Sequence, residues 1–120
     1  MHIYISHSSS YDYERELYAP IKNAAFYHRH TFFLPHEPEN SNTSAKDELN
    51  AADLLVAEVS LPSTGQGIEL GLATAAAVPI VCFYKEGSKP SSSLRFVTDK
   101  ILSYNHTDDM LTKLERLLIH

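Results

Sequence analysis

Two short runs, Leu54 to Val59 and Pro79 to Tyr84, are apolar at nearly every position instead of every second one. A strand of that kind has no face to offer water, so it belongs at the centre of a sheet covered on both sides. Three weaker runs flank them: His2 to Ser6, Thr31 to Leu34 (ended by Pro35), and Lys100 to Tyr104. Between the strands lie segments with helical spacing. In Tyr11 to Phe26 the residues Leu17, Tyr18, Ile21, Ala24 and Ala25 share one face, with a kink expected at Pro20. Ser44 is placed to cap a short helix ending near Ala51, and a small-residue helix runs from Gln66 to Ala77. Thr107 is placed to cap a last helix with Met110, Leu111, Leu114, Leu117 and Leu118 on one face. Residues 8–10, 36–43 and 85–93 read as polar turns and loops.

Repeated β–α alternation implies parallel strands joined by right-handed helical crossovers. The expected fold is α/β: one doubly wound parallel sheet of about five strands, flavodoxin- or Rossmann-like, with helices on both faces and residues 1–120 forming one domain.

Composition narrows the function. A formal charge of -5 argues against a surface for nucleic-acid polymers, which needs clustered Lys and Arg, but leaves room for a small nucleotide. The single cysteine, Cys82, has no internal disulfide partner and reads as a buried strand residue. No stretch reaches the roughly 18 apolar residues of a membrane span, and the start shows no secretory pattern. The expectation is a cytoplasmic protein with no membrane partner. His28 and His30 stand as H-x-H without further ligands at useful spacing, so neither a metal site nor another cofactor is expected. Lys85 and Lys89 read as solvated loop residues near the fourth strand's end.

The segment from Ala52 to Ala73 carries the chemistry. A strand runs into Ser63-Thr64-Gly65-Gln66-Gly67, and the following helix bears Glu69 near its start. Ligands of open α/β sheets bind at the carboxyl ends of strands, and helix starts favour negative charge. A carboxylate there can attack a sugar's anomeric carbon, with a cation-like transition state. The glycines suit close backbone approach and positive φ. A bland reading stands beside this one: a solvated helix glutamate, an N-cap serine and turn glycines.

Pro62, Ser63, Gly65, Gly67, Glu69, Leu70 and Gly71 together resemble the motif of the nucleoside 2-deoxyribosyltransferase family, nearer its nucleoside 5′-monophosphate N-glycosidase branch. The resemblance implies cleavage or transfer at an N-glycosidic bond. It implies Glu69 as nucleophile, Tyr4 as a tyrosine bonded to it, and Ser63 where the monophosphate branch carries serine in place of an acid. Ser92, in Ser91-Ser92-Ser93-Leu94, matches a serine reaching the phosphate of a neighbouring subunit's site, which implies a homodimer or higher homo-oligomer.

The chain also departs from that family. Its first loop, His7-Ser8-Ser9-Ser10, lacks the sugar-embracing glycines, so His7 and Ser8 become the candidate substrate contacts. Counting eight residues back from Asp53 gives Ala45 where the family has an acid–base aspartate. Asp47 and Glu48 are the nearest acids, and His36, Glu37 or His7 could substitute as proton donor. Asp53 itself reads as a strand-start residue. Two alternatives remain open. Ile3-Tyr4-Ile5-Ser6-His7-Ser8-Ser9 followed by Asp12 resembles the opening of TIR domains, some of which cleave NAD. A catalytically silent nucleotide-sensing module would also suit Ala45.

Overall fold

The computed structural model describes residues 1–119. Five parallel strands form one sheet: β1 (His2–His7), β2 (Thr31–Phe33), β3 (Leu54–Glu58), β4 (Ile80–Lys85) and β5 (Ile101–Tyr104). Their order is β2-β1-β3-β4-β5. This is the flavodoxin-like arrangement. The two continuous apolar runs become β3, in the middle, and β4 beside it. The edge strands β2 and β5 are the short ones, with 3 and 4 residues, which limits the unpaired backbone they expose.

Four helices cover the sheet: α1 (Ala19–Asn23), α2 (Ala45–Asn50), α3 (Thr64–Ala75) and α4 (Thr107–Ile119). Alternate strand residues feed two cores. Ile3, Ile5, Val56, Val81 and Phe83 pack with Leu17, Ile21, Met110, Leu114 and Leu118 of the α1/α4 face. Tyr4, Leu55, Ala57, Ile80 and Cys82 pack with Leu49, Leu70 and Ala73 of the α2/α3 face. Cys82 is fully buried, as its apolar neighbours suggested.

The expected helix over 11–26 is shorter and divided. A π-helical turn, Glu14–Tyr18, runs straight into α1, and Pro20 sits in the first turn of α1. Proline has no N–H and so cannot donate to the carbonyl of Glu16, four residues back. Thr107 Oγ1 donates to that carbonyl at 2.9 Å. Thr107, expected to cap α4, is instead the first residue of that helix, and none of the hydrogen bonds among the described residues has its Oγ1 accepting a helix N–H. The start of α4 is closed by Asp109 Oδ2, which accepts the Asn105 N–H at 3.1 Å.

Helix α3 begins two residues earlier than its apolar pattern suggested, because Ser63 is its N-cap and accepts the Gln66 N–H at 3.3 Å. It ends without a glycine. Val78 N–H bonds to Ala73 O at 2.9 Å and Ala77 N–H to Thr74 O at 3.1 Å. This is the Schellman closure, and it puts Ala77 at φ 58°. An alanine there carries a Cβ penalty that glycine lacks. Ala77→Gly should therefore stabilise the fold by ~1 kcal/mol, raising Tm by about 4 °C in a thermal melt followed by circular dichroism.

Candidate active site

The sheet order reverses direction between β1 and β3. The chain leaves β1 for β2 and returns past β1 to β3, and open α/β sheets bind their ligands outside the carboxyl ends of the strands at such a point. Tyr4 and Ser6 are two apart on β1, so both side chains face α3. Their register partners on β3 are Leu55 and Ala57, small or apolar side chains that leave room above them. Helix α3 lies over this face through Leu70 and Ala73. That packing brings Glu69 onto the pair. Tyr4 OH donates to Glu69 Oε2, and Ser6 Oγ donates to Oε1 at 2.8 Å.

Glu69 is half-buried. Loss of hydration pushes its pKa above the usual carboxylate range, while the bonds from Tyr4 and Ser6 and the field of His36 pull it back. Tyr4 is pushed well above the usual phenol range by burial and by Glu69. It therefore stays protonated and remains a donor. A carboxylate held by both oxygens, with no cation on it, is oriented without being neutralised.

His7 has a different place from the one its loop position suggested. It ends β1 on the other face and is 4% exposed. Nδ1 lies 2.9 Å from Ser8 O and so carries the proton; Nε2 then accepts from Tyr18 OH at 2.7 Å. Its ring stacks on Tyr13 and meets His36 edge-on. Desolvation lowers its pKa to about 4. Both nitrogens are occupied within the fold, so His7 is a structural histidine, not a substrate contact. Ser8 is likewise buried, its Oγ accepting the Ser10 N–H at 3.1 Å. Of the segment resembling a TIR opening, residues 3–8 are thus turned inward, while Ser9 and Asp12 are exposed.

His36 is exposed, with its backbone N–H fixed on Tyr18 OH at 3.0 Å and its ring against His7 and Tyr13. Glu37 is engaged by Lys22. Asp47 is exposed in the first turn of α2, and none of the hydrogen bonds among the described residues joins its carboxylate to Tyr4, Ser6 or Glu69. Glu48 is the acid of that helix whose field reaches Tyr4, and it meets His2 Nε2 at 3.2 Å. Asp53 accepts the His2 N–H at 2.8 Å, at the end of the sheet opposite the strands' carboxyl ends.

A cavity of about 480 Å³ opens on the other flank of α3. Ser63, Gly67, Gly71, Ser91, Ser93 and Leu94 are among its walls, whereas Glu69 is not. Gly65 and Gly67 lie inside α3 and neither has the positive φ expected of a turn glycine. A Cβ built on either would meet nothing within 4 Å. Ser92 is exposed and outside the cavity wall, which its neighbours Ser91 and Ser93 form. Sequence reasoning passed over Ser6, although the two-residue period of a strand puts it beside Tyr4. It also passed over Tyr18 and the buried Glu58.

No family model matches the chain. Over 67 residues, 55% of this chain, it is 43% identical to a protein of Syntrophotalea carbinolica named "Putative 2'-deoxynucleoside 5'-phosphate N-hydrolase 1". The match spans 46% of that relative, about half its length. The fold is that of the Clostridium botulinum CMP N-glycosidase BcmB, with a TM-score of 0.68 over 96% of this chain and 99% of that one, at 19% identity. The chain resembles the 5′-monophosphate N-glycosidase branch of the nucleoside 2-deoxyribosyltransferases.

His7 gives the site region a pH signature. Its folded-state pKa lies below its unfolded value, so the stability it contributes is present above pH 6.5 and lost as pH falls towards 4. The raised pKa of Glu69 acts in the opposite direction. Comparison with His7→Gln isolates the histidine. Wild type should lose ~3 kcal/mol more than the variant across that window, read from urea-unfolding midpoints.

Proposed function

We propose that the protein cleaves the N-glycosidic bond of a nucleoside 5′-monophosphate through Glu69. A Glu69 oxygen bonds to the anomeric carbon as the carbon–nitrogen bond to the base breaks, and the base leaves with a proton. Water then hydrolyses the glycosyl ester, or an acceptor base takes the sugar in a transferase. The observation that carries this reading is the carboxylate held by Tyr4 and Ser6 at the sheet's reversal point. The names of the two similar proteins support the same bond and substrate class.

Ser63 and the start of α3 are proposed to meet the phosphate, where a hydroxyl and free backbone N–H groups favour an anion. His36 is the proposed proton donor to the leaving base, because its ring is fixed near enough for its field to reach Glu69. Asp47 would need α2 to move before it could take that part. A homodimer would bring Ser92 of a second copy to the phosphate, and the exposed Leu61, Ile68 and Phe96 are surface such a contact would cover. Ala45, standing where the family has an acid, favours a second reading: a nucleotide-binding module without turnover.

Base release from ribo- and deoxyribonucleoside monophosphates, nucleosides and NAD, followed by chromatography, tests the proposal. Glu69→Gln should lower the rate at least ~10³-fold. Binding of a monophosphate without release from any substrate would replace the enzyme reading with the binding module. The nucleophile works only when ionised, so kcat/KM should fall with decreasing pH already above the ordinary carboxylate range. Tyr4→Phe removes a bond to the ionised form and should move that acid limb to higher pH.

A further inference from the structure

We infer that Glu58 is a positioning residue for the Glu69 site. From the opposite face of the sheet it fixes the turn between β3 and α3, and with it the placement of the helix that carries Glu69. The inference rests on the proposed role of Glu69.

Glu58 is the last residue of β3 and is 2% exposed. Its side chain points to the α1/α4 face, away from Glu69. Three donors converge on it. Ser60 N–H reaches Oε1 at 2.8 Å, Ser60 Oγ reaches Oε2 at 2.7 Å, and Tyr104 OH also donates to Oε2. Since Tyr104 gives its proton to the carboxylate, Tyr11 OH, 3.0 Å away, donates to Tyr104 in turn. The other charged group facing the cluster is Glu16, an anion. Hydroxyls, with no cation, therefore hold this carboxyl group, whose pKa burial pushes above the usual carboxylate range while the bonds from Tyr104 and Ser60 pull it back.

The bonds reach β4, β5, the segment after β1 and the first turn of α3. Ser60 Oγ accepts the Lys85 N–H at 2.8 Å, pinning the turn to the end of β4. Tyr104 ends β5, and Tyr11 lies in the segment after β1. The backbone of Glu58 completes the clamp, because its carbonyl accepts Gln66 Nε2 at 2.9 Å and so ties down the first turn of α3. Glu69 follows Gln66 by less than one turn. The five residues between Glu58 and Thr64 are thus fixed at both ends, and Glu69 can meet Tyr4 and Ser6 only if the helix start is in place.

Only a carboxylate accepts all three donors. An amide of the same shape keeps an acceptor for Ser60 N–H but turns a donor towards the two hydroxyls, which must then rotate. Glu58→Gln therefore loosens the clamp with little change of volume. The effect on chemistry is large if the geometry is the point, since a misplacement of about 1 Å can lower a rate ~10²-fold.

The experiment reads the Glu69 site twice, by steady-state base release and by the ¹³C titration of the Glu69 carboxyl in labelled protein. Glu58→Gln should stay folded at the assay temperature and lose ~10²-fold in kcat with KM within about threefold. Its Glu69 carboxyl should titrate at higher pH than in wild type, because the bonds from Tyr4 and Ser6 weaken. Tyr104→Phe keeps both Ser60 bonds and should show the same changes in smaller measure; it carries the test if Glu58→Gln does not fold. Wild-type kcat, or a Glu69 titration that stays or falls, overturns the inference. So does a loss of rate that only follows the unfolded fraction. If wild type releases no base at all, the proposed function fails, and the Glu69 titration alone decides the role of Glu58.

Discussion

Holding a carboxylate away from bulk water by hydroxyl donors, with no cation bonded to it, is the constraint around which this fold is arranged. An uncompensated buried charge is strongly unfavourable, and the chain supplies donors to two carboxyl groups, the half-buried Glu69 and the buried Glu58. Glu69 is held by Tyr4 and Ser6, and Glu58 by Tyr104 and Ser60. In each case a tyrosine and a serine supply the donors. Hydroxyls stabilise the ionised form without cancelling its charge, whereas a lysine or arginine would form an ion pair. In the proposed reaction the Glu69 carboxylate bonds to carbon, and for that it has to remain free of such a partner. The two sites lie on opposite faces of the sheet and share the short connection between β3 and α3.

The parallel sheet makes this arrangement possible. Pairing of β1 with β3 sets Ser6 opposite Ala57 and His7 opposite Glu58. The strand that supplies donors to Glu69 on one face therefore lines up with the strand that carries Glu58 on the other. The aromatic group of His7, Tyr13, Tyr18 and His36 packs together beyond β1. The loop after β2 is fastened to it through the His36 N–H on Tyr18 OH.

Much of the frame was legible because its signals are local. Continuous apolar strands marked the centre of the sheet, and helical spacing marked α4 and most of α3. The single-sheet α/β architecture follows from these alone, and the similar fold of a CMP N-glycosidase agrees with it. What escaped the sequence is contact across distance. Tyr4 meets Glu69 across 65 positions and Glu58 meets Tyr104 across 46. No periodicity marks such partners. Within the site, the motif and a family resemblance pointed to Tyr4 and Glu69, while Ser6 needed only the strand period. His7 and Ser8 were misread because a polar loop after a strand suggests solvent, and here aromatic packing buries it. The end of α3 was hidden because Ala77 takes a backbone conformation that sequence reserves for glycine.

The bond from Thr107 to Glu16 has a consequence for the order of assembly. It joins residues 91 positions apart and satisfies a carbonyl that Pro20 leaves without its usual donor. The first helical segment therefore gains this bond only once Thr107 has been made. The start of α4 and the turn before α1 are thus tied to each other across the α1/α4 face, as parts of one domain that folds as a unit.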